Sequence, residues 1–540
     1  MAGNELWFGD NLHVLREQFG DASIDLVYLD PPFNSKRDYN VLFKERSGSD
    51  SEAQIQAFTD TWSWDEAAVL CYVDVTHNAP EAVRRTIVAL RDLLGPNDLL
   101  AYLVNMAVRL VELHRVLKPT GSLYLHCDPT ASRYLKVILD AIFGPKQFRN
   151  EIVWKRTTAH SSAKKYAPVH DTVLYYGKTA KVTWNTPRTD YDPAYLDKYY
   201  RFDDGDGRLY WRDNLCAAGT RNGRSGLPWR GIDPAAKGMH WKFTIDRLDE
   251  LDAEGRIYWP KHGTMPQYKR YRDELQGLAV PDMWDDIDRI NPVGGERLGY
   301  PTQKPLALLE RIVAASSNPG DMVLDPFCGC GTATVAAEKL GRNWAGIDVT
   351  YLAIQLVERR LREMFPEAEF AVRGVPTDVE GARALAQRDP FSFQYWSLGL
   401  VEARPTAEPG RKGADRGIDG ELIFSDDRDG RPKRVIVSVK GGERFTSAAV
   451  RDLRGTVERE RAEMGLLLTL KEPTREMMRE AHEAGRYRSE GWGRDFPRLQ
   501  IATIGDIFAG KGPQLPPVRR TFSRSQAAVD AARQPGLAGL

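Results

Sequence analysis

Cysteine is scarce in this sequence. Five cysteines occur among 540 residues, an odd number at scattered positions: Cys71, Cys127, Cys216, Cys328 and Cys330. Such usage is typical of a reducing compartment and argues against a disulfide framework. Cys328 and Cys330 are separated by one residue with no other Cys or His nearby, so we expect small turn residues rather than metal ligands.

Membrane and leader signals are also missing. No run of about eighteen apolar residues occurs, and no basic-then-apolar leader begins the chain. The 75 basic and 75 acidic residues give a formal net charge of zero, so no global field attracts a polyanion. We therefore expect a cytoplasmic protein without a membrane partner, in which any nucleic-acid binding depends on local basic patches. A loop of the form G-x-x-x-x-G-K-[ST] is absent, which disfavours an ATP-driven translocating enzyme.

A short apolar run near the start ends at the motif Asp30-Pro31-Pro32-Phe33-Asn34. The run, residues 24–29, is stopped by two prolines, which predicts a buried strand with Asp30 at its carboxyl end. In an open α/β sheet, ligands bind outside the carboxyl ends of the strands. An acid, a rigid turn and an aromatic ring at this place therefore predict a site. The alternative is a proline-rich turn with a surface aspartate.

A second motif lies far downstream, where residues 322–332 end in Asp325-Pro326-Phe327-Cys328-Gly329-Cys330-Gly331-Thr332. This pattern predicts a strand, a glycine-rich turn that allows close approach of a ligand, and a helix over 333–340. The next strand, 343–348, ends at Asp348, where a nucleoside-binding βαβ unit holds ribose hydroxyls. The turn is shorter than the dinucleotide fingerprint, so it suits a nucleoside without a pyrophosphate.

Together the two motifs resemble those of the DNA amino-methyltransferases that use S-adenosylmethionine. Asp-Pro-Pro-Phe precedes Asp-Pro-Phe-x-Gly-x-Gly-Thr, which is the permuted order of that family's β group. Thr302-Gln303-Lys304-Pro305 resembles a further cofactor motif of the group, and Gly9-Asp10-Asn11 resembles its acidic turn near the adenine of the cofactor. The resemblance covers residues 1–365 with a gap in the middle.

The resemblance implies a role for each matching residue. Asp30, Pro31, Pro32 and Phe33 would be catalytic: Asp30 and the Pro31 carbonyl accept hydrogen bonds from the amine, and Phe33 stacks on a base flipped out of double-stranded DNA. The implied cofactor-binding residues are Asp10, Thr302, Lys304, Asp325, Phe327, Gly329, Gly331, Thr332 and Asp348. Adenine N6 is the expected target, because related cytosine-N4 enzymes more often carry Ser or Thr in place of Asp30.

Residues 155–295 interrupt the α/β rhythm with interleaved tryptophans and basic residues. These are Trp184, Trp211, Trp229, Trp241 and Trp259 with Lys164, Lys165, Arg212, Arg221, Arg224, Arg230 and Lys242. Basic side chains neutralise phosphates, arginine hydrogen-bonds guanine edges, and aromatic rings stack on exposed bases. Lying between the two motifs, the segment is predicted to be a target-recognition domain. The alternative is an inserted domain with a tryptophan-rich core and a solvated basic face.

A second α/β domain is predicted over residues 385–515. The stretch 413–420 contains Asp419, and a strand over 434–440 ends at Lys440. This pattern resembles the Mrr-type branch of the PD-(D/E)xK nuclease fold, which implies that Asp419 binds Mg²⁺, that Lys440 orients the attacking water and that Glu402 is a helix acid. Ser438 departs from the pattern, because most such nucleases carry Glu, Asp or Gln there. The resemblance implies a fused restriction–modification enzyme that cleaves DNA with Mg²⁺, and the alternative is a degenerate nuclease fold that only binds DNA.

The predicted fold class is α/β: a Rossmann-like methyltransferase sheet, an inserted target-recognition domain and a C-terminal restriction-endonuclease-like domain. The predicted boundaries are a catalytic half over 1–154, the insert over 155–295, a cofactor half over 296–365, a linker over 366–384, the nuclease-like domain over 385–515 and a disordered tail over 516–540. A homodimer, a cytosine-N4, RNA or protein methyltransferase, and a DNA-binding protein without catalysis stay open as alternatives.

Overall fold

A computed structural model describes residues 3–32, 38–44, 50–59, 63–158, 166–261, 265–291, 296–298, 300, 302–406, 418–424, 433–442, 446–490 and 493–516. The predictions made for Phe33, Lys164 and Lys165, and for residues 413–417 and 517–540, lie outside these ranges. The chain divides into two compact units, one formed by Met1–Asn185 with Asp282–Leu540 and the other by Thr186–Pro281. Within the described ranges, every helix is too short or too polar to cross a lipid bilayer.

The larger unit begins with alternating strands and helices. These are β1 (Asn4–Phe8), α1 (Asn11–Gln18), β2 (Ile24–Leu29), β3 (Asp38–Lys44), β4 (Asp50–Thr59), α2 (Glu66–Asn78), α3 (Glu81–Leu94), α4 (Asp98–Val116), β5 (Leu117–Cys127), α5 (Ser132–Phe143), β6 (Phe148–Lys155) and β7 (His170–Gly177). Every residue of β2 is buried, as expected of an apolar strand inside a sheet. Helix α4 is apolar nearly all round and mostly buried, and the Asn97 side chain caps it by accepting from the Leu100 N–H.

The smaller unit contains short elements. In chain order they are β8 (Arg188–Thr189), α6 (Pro193–Tyr199), β9 (Tyr210–Asn214), β10 (Cys216–Ala218), β11 (Met239–Trp241), α7 (Ile245–Ala253), β12 (Ile257–Tyr258), β13 (Gln267–Tyr271) and β14 (Leu278–Ala279). Strands β12, β13 and β9 form an antiparallel sheet. Trp229 and Trp241 are almost fully buried and pack with Leu248 and Leu251 in the core of this unit.

The chain then returns to the larger unit and completes its central sheet. The elements are β15 (Met283–Trp284), α8 (Leu306–Ser316), β16 (Met322–Asp325), α9 (Thr332–Lys339), β17 (Asn343–Asp348), α10 (Tyr351–Met364) and β18 (Phe370–Arg373). The strand order is β15-β6-β7-β5-β2-β16-β17-β1-β18. Strand β7 is antiparallel to both of its neighbours, and the other pairs are parallel. Helices α1 to α5 contribute to the main hydrophobic core with β2, β5, β7, β16 and β17.

This topology brings the two predicted motifs together. Strand β16 pairs in parallel with β2, with Val323 opposite Leu26 and Leu324 opposite Val27. On its other side β16 pairs in parallel with β17. Since the carboxyl ends of parallel strands meet at one edge, the motif around Asp30 and the glycine-rich turn lie side by side although the insert separates them in sequence.

The C-terminal region forms a second α/β sheet. Its elements are α11 (Val379–Arg388), α12 (Pro390–Leu400), β19 (Arg404–Pro405), β20 (Gly420–Phe424), β21 (Lys433–Lys440), α13 (Ser447–Arg459), β22 (Met464–Thr469), α14 (Arg475–Glu483), β23 (Arg486–Ser489), β24 (Arg494–Pro497), β25 (Leu499–Thr503) and α15 (Ile504–Phe508). The strand order is β19-β20-β21-β22-β25, with β21, β22 and β25 parallel. The predicted α/β class is therefore confirmed.

Three predicted boundaries differ from the structure. The compact insert spans Thr186–Pro281 rather than 155–295, because β7 and β15 pair with β6 in the central sheet. The predicted linker 366–384 contains β18, which pairs with β1 and extends that sheet. The predicted boundary between the linker and the nuclease-like domain, at 384/385, falls inside α11, which spans Val379–Arg388.

Candidate active site

A cavity of about 930 Å³ lies at the carboxyl ends of β1, β2, β16 and β17. The structure brings most of the predicted methyltransferase residues to its wall: Asp10, Asp30, Pro32, Thr302, Lys304, Asp325, Phe327, Gly329, Thr332 and Asp348. Pro31 is buried beside Asp30, and Gly331 lies at the start of α9. The residues thus share one site because four parallel strands end there.

Asp30 forms an ion pair with Lys304, through Oδ2 of the carboxylate and Nζ of the lysine. The two side chains are only 14% and 11% exposed. Among the residues that the structure describes, none donates a hydrogen bond to Oδ1 of Asp30. Asp30 therefore combines a fixed orientation with one acceptor atom that is available at the cavity wall.

The loop that carries Lys304 is braced by Gln303. The side-chain oxygen of Gln303 accepts a hydrogen bond from the Leu298 N–H at 2.8 Å, and its amide nitrogen donates to the Glu296 carbonyl at 2.7 Å. Pro305 follows immediately and precedes α8. The motif predicted from sequence thus supplies a cation, Lys304, and the residues that hold it against Asp30.

Asp325 is buried at the end of β16, where its Oδ1 accepts a hydrogen bond from the Phe327 N–H at 3.1 Å. Burial raises the pKa of this carboxyl well above its usual range, and the negative charges of Asp30 and Asp348 raise it further. Lys304 acts in the opposite direction. A cation bound beside Asp325 would favour the ionised form of this carboxyl, so the cavity wall suits a cationic ligand.

Asp348 holds the glycine-rich turn. Its Oδ2 accepts a hydrogen bond from the Gly329 N–H at 2.9 Å, and its Oδ1 accepts from the backbone and hydroxyl of Thr350 at 2.8 and 2.7 Å. Burial raises the pKa of Asp348 even though these hydrogen bonds oppose the shift. The carboxylate is thus oriented by its own neighbours before any ligand binds.

The two glycines of the turn are required by geometry. Gly329 and Gly331 have φ values of +49° and +72°, which disfavour side chains. A Cβ on Gly331 would lie 2.7 Å from the Val357 methyl groups, and one on Gly329 would lie 3.2 Å from the Tyr300 ring. The turn therefore needs glycine for both its conformation and its packing.

Arg109, on α4, is a site residue that sequence reasoning missed. It donates to Oδ2 of Asp10 at 2.7 Å and to Oδ1 of Asn11 at 2.6 Å. Asn11 in turn donates to the Pro326 carbonyl at 2.7 Å, which ties the turn after β1 to the turn after β16. The available signal was a lone arginine in the middle of an apolar helix, since burying a charge is costly unless it has partners.

A buried polar chain leads away from the cavity and was also missed. Tyr28 lines the cavity, and its hydroxyl lies 3.0 Å from Nδ1 of His126. Nε2 of His126 lies 3.3 Å from Asp171, whose other oxygen pairs with Arg156 at 3.0 Å. Burial alone would raise the pKa of Asp171, but the hydrogen bond and charge of His126, with Lys304 and Arg156, hold it below its usual value. Tyr28 lies on β2, His126 on β5, Arg156 between β6 and β7, and Asp171 on β7. Because these elements are far apart in sequence, only the fold reveals the contacts between them.

The basic residues predicted for recognition are largely paired in the smaller unit. Arg224 pairs with Asp246, Arg230 with Asp252 at 2.8 Å, and Lys242 with Asp213 at 3.3 Å. Residues 186–281 contain 16 basic and 15 acidic side chains, so the unit as a whole is nearly neutral. Arg212 lies 3.6 Å from the ring centres of both Phe202 and Tyr258. Exposed residues of this unit include Arg221 and Trp259.

The predicted nuclease residues do not assemble a metal centre. Asp419 is buried, and its oxygens accept hydrogen bonds from Gln394 at 2.9 Å, the Ser438 hydroxyl at 3.0 Å and the Val439 N–H at 2.6 Å. Lys440 is exposed. Glu402 is a correction: it lies outside α12, exposed, in a turn with φ of +56°.

Mg²⁺ prefers several oxygen ligands, with carboxylates prominent among them. Across the ranges that the structure describes, no group of three or more His, Cys, Asp or Glu side chains is arranged to hold a metal ion. Among the described residues, the partners of Asp419 are hydrogen-bond donors: the Gln394 amide, the Ser438 hydroxyl and the Val439 N–H. The described residues therefore do not fit the predicted Mg²⁺ ion.

Two family models match the chain. The first, described as DNA methylase, covers residues 24–359, which is more than half of the chain. The second, described as NACHT-associated inactive Restriction Endonuclease 1, covers residues 402–490.

Individual proteins are similar over shorter stretches. The chain is 37% identical to the Type II methyltransferase M.EcaI of Enterobacter cloacae over 261 residues, which are 48% of this chain and 57% of that protein. It is 46% identical to the DNA adenine methyltransferase YhdJ of Escherichia coli strain K12 over 82 residues, 15% of this chain and 28% of that protein. The chain spans about half the length of the curated relatives that it matches. Among solved structures, the PvuII DNA methyltransferase, named as cytosine-N4-specific, matches 66% of this chain and 86% of its own at 14% identity and a TM-score of 0.34.

Proposed function

The chain belongs to the DNA methylase family, and from this premise we propose that it transfers a methyl group from S-adenosylmethionine to the N6 amine of adenine in double-stranded DNA. The observation that carries the proposal is the cavity shared by Asp30 and the glycine-rich turn of 325–332. The motif around Asp30 is suited to an amine, and the glycine-rich turn is suited to a nucleoside. Because parallel strands bring the two motifs to one cavity, the arrangement supports methyl transfer from a nucleoside cofactor to an amine.

The charges of the cavity wall fit this cofactor. S-adenosylmethionine, when bound, supplies an electrophilic methyl group on a positively charged sulfonium. Asp325 and Asp348 have raised pKa values because they are buried, so a cation beside them offsets part of the cost of their ionisation. Gly329 and Gly331 add no side chains of their own to the turn, and Asp348 would accept hydrogen bonds from ribose hydroxyls.

Asp30 activates the amine. An exocyclic amine is a poor nucleophile because its lone pair is delocalised into the ring. Oδ1 of Asp30 and the Pro31 carbonyl would accept its two N–H groups, which favours a pyramidal nitrogen with a localised lone pair. In the transfer, the N–C bond would form as the C–S bond of the sulfonium breaks, which leaves a neutral thioether. The nitrogen would then be cationic, and the adjacent carboxylate would stabilise this charge and accept the proton that the nitrogen releases. Lys304 fixes the carboxylate through its other oxygen.

Adenine, rather than cytosine, is supported by two facts. Asp30 stands where related cytosine-N4 enzymes more often carry Ser or Thr, and the similar protein YhdJ is named as a DNA adenine methyltransferase. The test is to incubate the full chain and labelled S-adenosylmethionine with duplex DNA or RNA and to identify the modified base by mass spectrometry. N6-methyladenine in DNA supports the proposal. N4-methylcytosine, or methylation of RNA alone, would reassign the substrate.

The order of the motifs further supports membership of the permuted β group, with the insert as the target-recognition domain. The sedimentation rate of the same preparation, with and without a duplex, distinguishes a monomer from a homodimer.

For residues 385–515 we propose a degenerate, Mrr-type nuclease fold that binds DNA and does not cleave it. The absence of a carboxylate cluster around Asp419 among the described residues, and the word "inactive" in the matching family description, support this choice.

A further inference from the structure

The cavity of the methyltransferase has a wall that comes from the C-terminal domain. Besides the strand ends, it is lined by Asp389, Phe391, Ser392 and Tyr395, which lie at and just after the start of α12. Both family models leave these residues out, since the first ends at residue 359 and the second begins at residue 402. The helix therefore adds side chains to the site that neither family description covers.

The first turn of α12 is held rigidly. Oδ1 of Asp389 accepts hydrogen bonds from the Phe391 and Ser392 N–H groups, each at 3.1 Å, and Oδ2 accepts from the Ser392 hydroxyl at 2.6 Å. This cap satisfies donors that would otherwise be unpaired at a helix start. The backbone that presents Phe391 to the cavity is therefore preorganised.

The same helix is anchored on both sides. On its own domain, Phe393 and Trp396 are almost fully buried, and Trp396 packs against Phe508. On the methyltransferase side, Tyr395 packs in a cluster with Tyr300 and Cys330. Further along, α12 approaches α10 so closely that a Cβ on Gly399 would lie 1.4 Å from the Gln355 side chain.

Three apolar side chains that line this cavity are exposed. Leu70 on α2 is 63% exposed, Val349 after β17 is 62% exposed and Phe391 is 49% exposed. They come from three separate elements and line one cavity, and apolar surfaces gathered in this way mark a ligand site. Val349 directly follows Asp348, the residue assigned to the ribose, so the apolar part of the ligand nearest to it is the base of the nucleoside.

We propose that Phe391 of the C-terminal domain binds the adenine ring of S-adenosylmethionine, so that the nuclease-like domain completes the cofactor site of the methyltransferase. This inference rests on the proposed function for the identity of the ligand. Adenine has two flat apolar faces, and an aromatic ring gains both buried area and stacking from contact with one of them. The acidic wall accounts for the cationic end of the same ligand.

The test compares variants of the full chain by calorimetric titration with S-adenosylmethionine and with adenosine. Phe391→Ala should raise the dissociation constant about tenfold for both ligands, the size expected for one aromatic contact. Phe391→Tyr keeps the ring and should stay within about twofold of wild type. Met478→Ala is the matched control, because Met478 on α14 is also 49% exposed and does not line the cavity. It should bind both ligands as wild type does.

The outcomes separate the two proposals. Wild-type affinity of Phe391→Ala for both ligands, with unchanged thermal unfolding and a wild-type protein that methylates DNA, would overturn the inference and leave the proposed function intact. Equal losses of affinity in Phe391→Ala and Met478→Ala would also overturn it, because a substitution outside the cavity would then have the same effect. A wild-type protein that neither binds S-adenosylmethionine nor methylates DNA would overturn the proposed function and this inference with it.

Discussion

At the scale of single residues, the cavity concentrates acidic side chains. Asp30, Asp325 and Asp348 lie on its wall, and the carboxylates of Asp30 and Asp348 both raise the pKa of Asp325. Such an arrangement opposes folding, because buried like charges repel and lose their hydration. A cationic ligand would instead attract these carboxylates. The acids are thus better explained by binding than by stability.

Asp30→Ala should reduce methyl transfer about 100-fold or more, because it removes the acceptor of the amine proton. Binding of S-adenosylmethionine should be largely retained, since Asp30 faces the target amine. Initial rates with labelled cofactor and a calorimetric titration measure the two effects separately. Asp21→Ala, which removes an 80% exposed partner of Arg115, serves as the control. Full activity of Asp30→Ala would rule out its catalytic role.

Asp348→Ala should weaken binding of S-adenosylmethionine by about 1.5–3 kcal/mol, the usual range for hydrogen bonds to a charged group. Part of the loss has a structural origin, because Asp348 also accepts from the Gly329 and Thr350 N–H groups. Thr350→Val keeps the carboxylate and removes only the hydroxyl donor, so it isolates the effect of orientation. An unchanged affinity of Asp348→Ala, measured by calorimetry, would place the ribose elsewhere.

Asp325→Asn should change how stability depends on pH. The folded protein raises the pKa of Asp325 above its ordinary value of 3.8. At pH values between the ordinary pKa and the raised pKa, the folded state binds more protons than the unfolded state. This group therefore makes the wild-type protein less stable as the pH rises. The asparagine cannot ionise and still accepts from the Phe327 N–H. Relative to wild type, the variant should therefore gain stability from pH 4 upward, as measured by chemical unfolding without ligand. A stability difference that does not vary with pH would contradict the shift.

The motifs identified the residues that lie on loops after strands, because proline, glycine and acid patterns mark such loops directly. Arg109 and the chain of Tyr28, His126 and Asp171 were not predicted. Their roles depend on contacts between elements that are far apart in sequence, such as Arg109 with Asp10. An arginine in the middle of an apolar helix shows that the charge needs a partner but does not show which one.

At the scale of elements, strong periodicity in the sequence was sufficient to predict where an element begins and ends. The strand over 343–348 has the predicted bounds, and the helix predicted over 333–340 spans Thr332–Lys339. Strand β18 was missed because it is only four residues long and lies at the sheet edge, where pairing with β1 rather than sequence pattern stabilises it.

The insert is the element that should determine sequence choice. Replacing residues 186–281 by the corresponding segment of a relative with another target should change which DNA sites are methylated, because the motifs around Asp30 and Asp325 stay in place. Sequencing of modified bases in DNA from expressing cells measures the result. The control exchanges residues 446–490, which should leave the methylated sequence unchanged. If exchange of 186–281 left the methylated sequence unchanged, recognition would have to lie outside this unit.

At the scale of the whole molecule, the order of strands could not be derived from local patterns. The insert leaves the central sheet after β7 and the chain re-enters at β15, so β2 and β16 become neighbours only through tertiary pairing. The resemblance of the two motifs to a known family implied one Rossmann-like sheet but not its strand order, and membership of the DNA methylase family is confirmed. Assignment to the β group stays a prediction.

The C-terminal domain raises the question of whether one chain both modifies and cleaves DNA. Asp419 already accepts hydrogen bonds from Gln394, Ser438 and the Val439 N–H, so a Mg²⁺ ion would have to displace these donors without a second carboxylate among the described residues to hold it. We therefore expect no cleavage of unmethylated plasmid by the full chain with Mg²⁺, as measured by agarose gel. Asp419→Ala and Lys440→Ala should retain methylation activity, and Lys440→Ala should weaken binding of a duplex, since Lys440 is exposed and able to contact phosphate. Cleavage by wild type that is lost in both variants, and absent on premethylated plasmid, would instead establish a working nuclease centre and restore the restriction–modification interpretation of the fusion.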